Sequence, residues 1–109
     1  MDEEDFKKYF KVKKTFRGVS KETGLNPSAL EILSVIGEYG RSTIGEVAQR
    51  TDQNQSSVSK LISDALWGRE KDLSKRLVEK EIGDNQRERY VFLTKRGKEM
   101  YKKILDYSD

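Results

Sequence analysis

The sequence predicts a mainly α-helical fold with one small two-stranded β-hairpin, and three stretches of the chain indicate this. Residues 42–66 contain two short amphipathic patterns that are separated by a polar turn. Residues 27–40 form the most apolar helical pattern in the chain. From Leu77 onward the apolar period changes to two, which is typical of strands. A helix-turn-helix that is followed by such a hairpin is a winged helix-turn-helix, and this is the fold that we expect.

The helix-turn-helix carries recognisable signals at its start and at its turn. Thr43 and Glu46 have the spacing of a capping box, which begins a helix. Ala48 is small enough to let the two helices approach closely. Asp52 lies where glycine is usual, and aspartate is one of the few residues that tolerate a left-handed backbone. The apolar positions that we expect to pack together are Ile44, Val47 and Ala48 in the first helix and Val58, Leu61, Ile62, Ala65 and Leu66 in the second.

Composition restricts the class of protein. The 109 residues are enough for a single domain, 1–109, and 38% of them are charged, which leaves a small core. The absence of cysteine and histidine excludes disulfides, a structural zinc site and histidine-based catalysis. No apolar run has membrane-spanning length, and the acidic start MDEED does not resemble a signal peptide. We therefore expect a soluble, cytoplasmic protein.

Catalysis is not indicated by the remaining residues. No aspartate or glutamate lies in an apolar stretch that would raise its pKa for acid–base chemistry. There is also no glycine-rich loop of the kind that cradles phosphates. We therefore expect a protein that is not an enzyme and needs no cofactor.

The net charge of +3 is concentrated in the flanks of the helix-turn-helix. Residues 41–66 are neutral overall, whereas residues 1–24 and 67–109 each carry an excess of lysine and arginine. A helix that enters a nucleic-acid groove need not be highly charged if its neighbours contact the phosphates. Such basic runs are also common on solvated protein surfaces, so charge alone decides little.

The N-terminal pattern, within residues 1–22, predicts an amphipathic helix. Its acidic first residues would complement the helix dipole. Its apolar side could form a dimer arm or could simply close the core of this domain. A basic amphipathic helix can also bind membranes, but the acidic start would oppose an anionic surface. The apolar positions are Phe6, Tyr9, Phe10, Val12, Phe16 and Val19, and the basic ones are Lys7, Lys8, Lys11, Lys14 and Arg17.

The winged-helix core is predicted over residues 27–93. Asn26 and Pro27 begin its central helix and Gly40 ends it. The stretches LVEKEI and RYVFL predict two strands, and GDNQRE between them predicts a turn with a basic tip. Residues 94–109 predict a closing helix. Between the second helix and the first strand, the apolar seam could continue through Trp67, although we favour a break near Gly68.

These stretches carry a resemblance to a known family. GLNPSALEIL, TIGEVAQRTDQNQSSVSKLI and LVEKEIGDNQRERYVFLTKRGKEM resemble the winged-helix core of the MarR-type (multiple antibiotic resistance regulator) transcription factors. The most specific part is the wing, where a turn with Asp84, Arg87 and Arg89 leads into an apolar strand that ends at Thr94, with glycine three residues on. The resemblance covers about residues 24–101. The join before the first strand is several residues longer here than in the family.

The resemblance implies a repressor or activator that binds double-stranded DNA, usually as a homodimer. The helix from about Asn54 to Leu66 would enter the major groove, and the wing at residues 83–89 would reach the minor groove. The dimer would form through the N- and C-terminal helices. A small-molecule effector is compatible with the resemblance, but no residue pattern in this chain supports one.

The second helix of the helix-turn-helix has an unusual outer face. Six residues from Gln53 to Lys60 are uncharged glutamine, asparagine or serine, whereas a face selected only for solubility would carry more glutamate and lysine. Amide side chains can bond to adenine edges, and hydroxyls suit phosphates or bases. Lys60 would contact a phosphate or a guanine. The candidate DNA-binding residues are Gln53, Asn54, Gln55, Ser56, Ser57, Ser59, Lys60, Ser63, Arg87 and Arg89.

Other contacts are suggested by local chemistry. The backbone N–H groups of Ser56 and Ser57, in the first turn, could hold a phosphate. Arg87 is the best candidate for a narrow minor groove, where the negative potential is enhanced. Arg89 could contribute there or could pair with Asp84 or Glu88.

A different class of function fits the same fold. A winged helix can serve as a protein-interaction module of a transcription or replication assembly without specific DNA binding. That alternative predicts that the outer helix face is dispensable, and that the aromatic N-terminal helix or Trp67 is essential.

Overall fold

The computed structural model describes residues 2–67, 76–83 and 88–108. Its elements are five α-helices, one π-helical segment and three strands: α1 (Glu3–Thr23), α2 (Pro27–Tyr39), β1 (Ser42–Thr43), α3 (Ile44–Thr51), α4 (Gln55–Leu61), the π-helical segment Ile62–Trp67, β2 (Val78–Ile82), β3 (Arg89–Leu93) and α5 (Lys95–Ser108). The predicted class, mainly helical with a small antiparallel sheet, is confirmed. The predicted break near Gly68 lies outside the described residues, as do the side chains of Tyr9, Val12, Ala65 and Trp67.

The ends of α1 and α2 follow from local hydrogen bonds. The Asp2 carboxylate accepts from the backbone N–H of Asp5 at 2.9 Å and begins α1. The Asn26 side chain accepts from the backbone N–H of Ser28 at 2.8 Å, and Pro27 occupies the first turn of α2. Gly40, with φ of +79°, ends α2 in a backbone conformation that suits glycine. The predicted start of α2 at Asn26 and Pro27 and its predicted end at Gly40 are confirmed, whereas the Asp2 cap was not predicted.

The helix-turn-helix has the predicted cap and turn. Thr43 Oγ1 accepts from the Glu46 N–H at 3.1 Å, and Glu46 Oε1 accepts from the Thr43 N–H at 3.0 Å. The Thr43 N–H bond is the main reason why the pKa of Glu46 lies below its usual value. Asp52 adopts φ of 54° and ψ of 42°, which turns the chain from α3 towards α4. Both predictions are confirmed.

The sheet has one strand more than the predicted hairpin. Its order is β1-β3-β2, and all pairs are antiparallel. β1 pairs Ser42 with Val91 and Thr43 with Tyr90. The predicted hairpin, β2–β3, is confirmed, and β1 adds a third strand that was not predicted, because two residues are too few to show a strand period. β1 joins the start of α3 directly to the wing.

The core is built around α2. Five of its residues are buried, and α2 contacts α1, α3, α5, β3 and the π-helical segment. Val78 of β2 and Val91 and Leu93 of β3 close the core from the side of the sheet. The buried residues of α2 are Ala29, Leu30, Ile32, Leu33 and Ile36.

The apolar residues of α1 divide into two groups. Val19 is fully buried, and Phe16 packs against the core. Phe6 and Phe10 are 51% and 57% exposed, and their ring centroids lie 5.1 Å apart. The C-terminal half of α1 therefore closes the core, whereas the N-terminal half presents an aromatic pair to the surface. The predicted role of this helix in closing the core is confirmed for its C-terminal half, and the predicted dimer role stays a prediction.

α5 packs closely against its neighbours at two glycines, one in α2 and one in α5 itself. A Cβ at Gly37 of α2 would lie 2.5 Å from Tyr101 Cγ of α5. A Cβ at Gly97 of α5 would collide with the carbonyl oxygen of Leu77, just before β2. The Leu77 carbonyl cannot move away without shifting the backbone, so any side chain larger than that of glycine at position 97 would strain this contact.

We expect Gly97→Ala to lower the free energy of unfolding by about 1–3 kcal/mol, because the new methyl group overpacks the Leu77 carbonyl. Urea unfolding would measure the change. Gly45→Ala is the matched control, because the nearest neighbours of its Cβ would be side-chain atoms at ordinary contact distances, with Gln55 Nε2 at 3.4 Å and Thr43 Oγ1 at 3.9 Å. Equal stabilities for Gly97→Ala and the wild type would contradict this account of the α5 contact.

The capping box of α3 predicts a pH effect on stability. Since the pKa of Glu46 is lowered in the folded chain, the ionised carboxylate stabilises the fold above its ordinary pKa, and this is lost as the pH falls. The melting temperature of Glu46→Ala should therefore lie below that of the wild type at neutral pH, with the gap shrinking towards about pH 3. Glu46→Gln keeps an acceptor at this position and should show a smaller gap at neutral pH. A gap that is independent of pH would rule out the ionised cap.

Candidate nucleic-acid interface

A groove of about 860 Å³ runs between the exposed face of α4 and the base of the wing. The start of α3 forms its floor, α4 and the π-helical segment form one wall, and the start of β3 forms the other. The residues that line it are Thr43, Ile44, Gly45, Gln55, Ser56, Ser59, Lys60, Ser63, Asp64, Glu88 and Arg89. Five of the predicted DNA-binding residues on the second helix lie together here, namely Gln55, Ser56, Ser59, Lys60 and Ser63.

The rotation of α4 about its axis is set by its apolar residues. Val58 and Ile62 are fully buried against the core, and Leu66 is buried one turn further on. The polar side chains from Gln55 to Lys60 therefore face away from the core. This confirms the predicted orientation. The predicted helix from Asn54 to Leu66 corresponds to α4 together with most of the π-helical segment.

Two of the predicted residues serve the turn and the cap. The backbone N–H of Gln53 donates to the Ala48 carbonyl at 3.0 Å, and the Gln53 side chain is half-buried. Asn54 Oδ1 accepts from the backbone N–H of Ser57 at 2.7 Å. This N–H is therefore already bonded within the cap, and the predicted phosphate contact of the Ser56 and Ser57 amides stays a prediction. α4 begins one residue later, at Gln55.

Gln55 lies beside a glycine that sequence reasoning missed. A Cβ at Gly45 would lie 3.4 Å from Gln55 Nε2, so the amide lies across the first turn of α3. Gly45 follows the capping threonine directly, but glycine in a helix gives no sign of which distant side chain it admits. The amide of Gln55 therefore lines the groove beside the start of α3.

The charges that line the groove are balanced among the described residues. Lys60 and Arg89 are basic, whereas Asp64 and Glu88 are acidic. Neither Asp64 nor Glu88 was predicted to line this groove. The groove therefore offers mainly hydrogen-bonding groups rather than a strong positive potential.

The wing is partly described. Arg89 begins β3, and its Nη1 donates to the Glu88 carbonyl oxygen at 3.4 Å. The Glu88 carboxylate instead accepts from the Tyr90 hydroxyl at 2.7 Å, and this bond raises the pKa of Tyr90. Arg87 and Asp84 lie outside the described residues, so the predicted minor-groove contact of Arg87 stays a prediction.

A cluster on the outer face of the sheet holds the base of the wing. The Arg41 guanidinium carbon lies 4.1 Å from the centroid of the Tyr90 ring, and Arg41 Nε lies 3.2 Å from Glu81 Oε2. These contacts join the segment before β1 to both strands of the hairpin. The orientation of the wing relative to α3 therefore depends on side chains as well as on strand pairing.

The π-helical segment is also linked to the hairpin. Lys80 Nζ, in the middle of β2, donates to Ser63 Oγ at 2.8 Å. Ser63 was predicted as a DNA-binding residue, whereas Lys80 was not predicted at all. The spacing of the two residues, separated by the 67–76 segment, gives no sign of this contact.

One expectation about carboxylates was wrong. Burial raises the pKa of Glu31 on α2, and the positive charge of Lys13 opposes this effect. Among residues 2–67, 76–83 and 88–108 there is no cluster of three or more potential metal ligands. No helix in those ranges is both long and apolar enough to cross a membrane.

Three solved structures show the same architecture. NadR in complex with 4-hydroxyphenylacetate has a TM-score of 0.75 at 19% identity, covering 95% of this chain and 70% of NadR. A MarR-family regulator from Silicibacter pomeroyi has a TM-score of 0.70 at 21% identity, with coverages of 89% and 61%. The Staphylococcus aureus MepR–DNA complex has a TM-score of 0.67 at 14% identity, with coverages of 91% and 77%.

Across the whole chain, the similarity to known proteins is visible in the fold and not in the amino-acid sequence alone. No family model matches the chain, and no curated protein does. The chain spans 61–77% of the length of the three structures. The order and packing of its helices and strands nevertheless agree with theirs over most of the chain. This protein has the winged helix-turn-helix fold of the MarR-type regulators, as the resemblance in its sequence predicts.

Proposed function

We propose that the protein is a sequence-specific regulator of transcription that binds double-stranded DNA. α4 and the first turn of the π-helical segment enter the major groove, and the wing at residues 83–89 reaches the neighbouring minor groove. The observation that carries this proposal is the exposed face of α4. It presents amide and hydroxyl groups, with few charges, to a groove that the wing borders.

The chemistry of this face suits base recognition. The Gln55 amide can bond to the N6 and N7 edge of adenine, and the hydroxyls of Ser56 and Ser59 can bond to bases or phosphates. Lys60 and Arg89 supply the positive charge for phosphates. Because the groove as a whole is nearly neutral, the preference for one sequence should depend on these hydrogen bonds more than on charge.

The neighbouring structures support this reading. MepR, whose fold this chain shares, was solved as a complex with DNA. The recognition helix of a helix-turn-helix contacts base edges in the major groove with its N-terminal residues. In this chain those positions are occupied by Gln55, Ser56 and Ser59.

We also propose that the protein acts as a homodimer through α1 and α5. Lys103 pairs with Glu22 at 2.9 Å, so α5 runs back along α1. The surface near this pair of helices exposes Phe6 and Phe10 of α1 and Leu105 of α5. A second copy would cover these side chains. A two-fold dimer would bind a roughly palindromic site with half-sites about one helical turn apart.

The exposed aromatic pair also favours the alternative of a protein-interaction module. Phe6 and Phe10 would then bind another protein, and the face of α4 would be dispensable. The two functions differ in whether the chain binds duplex DNA at all, so binding to DNA decides between them.

The first experiment is titration into labelled random-sequence duplex DNA at several salt concentrations, followed by selection of the preferred sequence. We expect salt-dependent binding, and Lys60→Ala should lower the slope of log affinity against log salt by about one. Lys102→Ala, on the exposed side of α5, is the matched control and should leave the slope unchanged. No binding to duplex at low salt would overturn the proposed function.

A second variant tests base recognition. Gln55→Ala should reduce the preference for the selected sequence by about 1–3 kcal/mol, because a bidentate contact to a base is lost. The affinity for random duplex should stay the same. Arg87→Ala should instead weaken binding to all sequences evenly. An unchanged sequence preference in Gln55→Ala would remove that residue from the proposed contacts.

The dimer is tested by sedimentation. The double variant Phe6→Ala/Phe10→Ala should weaken self-association at least about tenfold, because each buried phenylalanine contributes roughly 1.5–3 kcal/mol. The helical content should not change, since both side chains are exposed in the monomer. Lys60→Ala, on the exposed face of α4 and away from α1 and α5, serves as the control. A wild-type chain that stays monomeric at high concentration would contradict the dimer.

A further inference from the structure

The recognition helix and the hairpin are joined at two successive levels. At the base, the backbone N–H of Leu77 donates to the Leu66 carbonyl oxygen at 2.8 Å. One step towards the wing, Lys80 Nζ donates to Ser63 Oγ at 2.8 Å. Ser63 lies three residues before Leu66 in the helix, and Lys80 lies three residues after Leu77 in the strand. The helix and β2 therefore run side by side in opposite directions, tied at both points.

The register of the sheet explains why Lys80 reaches the helix. In the β2–β3 pair, Lys80 lies opposite Val91 and two residues after Val78. Val78 and Val91 are both fully buried, so this face of the sheet packs against the helices. The lysine continues the same face beyond the core, where a long side chain is needed to span the gap to Ser63.

Ser63 is placed by an uncommon local structure. It is the second residue of the π-helical segment Ile62–Trp67. π-helical turns are rare and frequently occur at functional sites. Ser63 lines the groove and lies beside β2, since its hydroxyl oxygen accepts from Lys80 Nζ.

From Ser63 the groove described above continues between the helix and the hairpin. Ser59 and Lys60 line its helix side, and Glu88 and Arg89 line its hairpin side. The bond between Lys80 and Ser63 joins the helix side of the groove to β2, and β2 in turn pairs with the start of β3 on the hairpin side. Among the residues described, no residue of β2 lines the groove itself.

We propose that Lys80 is a positioning residue, which acts through Ser63 to hold the recognition helix and the wing at a defined separation. This inference rests on the proposed function and assigns to Ser63 a structural role within it. The helix and the wing contact different grooves of one duplex, so an error in their separation misplaces one set of contacts. The bond therefore governs the preference for one sequence rather than the affinity for DNA in general.

The main competing role for Lys80 is a direct bond to a phosphate. The two roles differ in salt dependence and in coupling. A phosphate ligand contributes about one unit to the salt slope and acts independently of Ser63. A positioning residue leaves the slope unchanged, and its effect depends on whether Ser63 is present.

The DNA experiment uses Lys80→Met, Ser63→Ala and the double variant, with Lys98→Met on α5 as the matched control. Methionine keeps most of the length of the lysine without its donor. We expect each single variant to reduce the preference for the selected sequence about three- to tenfold, and the double variant to reduce it no further. The salt slope should match that of the wild type. Additive losses would overturn the proposal, as would a slope lowered by about one in Lys80→Met alone.

A measurement without DNA separates this proposal from the proposed function. The chain contains no cysteine, so Ser56→Cys and Ile82→Cys give two unique, exposed sites for spin labels on the helix and the hairpin. We expect the distribution of distances between the labels to broaden equally in Lys80→Met and Ser63→Ala, and not in Lys98→Met. Unchanged distributions would overturn the positioning role. If the wild type fails to bind duplex DNA, the proposed function falls, and the label distances alone decide whether Lys80 holds the two elements.

Discussion

The backbone around Leu77 joins the helix that begins with α4, the hairpin and α5. The relative positions of these three parts depend on it. The Leu77 N–H bonds to the Leu66 carbonyl of the recognition helix, and the Leu77 carbonyl accepts from the Thr94 N–H at the end of the hairpin at 3.1 Å. The Thr94 hydroxyl bonds to the Arg76 carbonyl at 2.6 Å and accepts from the Gly97 N–H at 3.0 Å. One short segment thus fixes the helix, the wing and α5 relative to one another.

This junction explains how a small core can present a defined surface. Because the end of the helix is tied to the base of the hairpin, the burial of Val58 and Ile62 leaves little freedom of rotation about the helix axis. The polar face of α4 is then held at a constant angle to the wing. Base recognition requires such rigidity, since a bidentate hydrogen bond tolerates only small displacements. The Lys80–Ser63 bond extends the same constraint one step towards the wing.

The two ends of the chain follow a different principle. α1 and α5 pack on α2 with their inner faces, and their remaining apolar side chains stay at the surface. Phe16 and Phe10 illustrate the division, because they share a helix but only Phe16 lies where α2 can cover it. An exposed aromatic pair on an otherwise charged surface is typical of an interface. The proposed DNA-binding face and the proposed association face thereby lie on different elements.

The sequence by itself determined the features that depend on neighbouring residues. The capping box at Thr43 and Glu46, the left-handed turn at Asp52 and the first turn at Pro27 arise from hydrogen bonds and backbone preferences within a few positions. The apolar periods likewise indicated which face of α4 is buried, and hence most of the candidate site. The strands of the hairpin agree with their predicted bounds to within one residue.

Only the tertiary structure decided the features that join distant parts of the chain. β1 exists because β3 lies beside it, and the exposure of Phe6 and Phe10 depends on where α2 and α5 end. The contact between Lys80 and Ser63 requires a π-helical turn and a strand register that neither segment encodes alone. Local sequence patterns indicate how readily a helix or a strand forms. The features above depend instead on packing between elements, where the contribution of each residue depends on its partner.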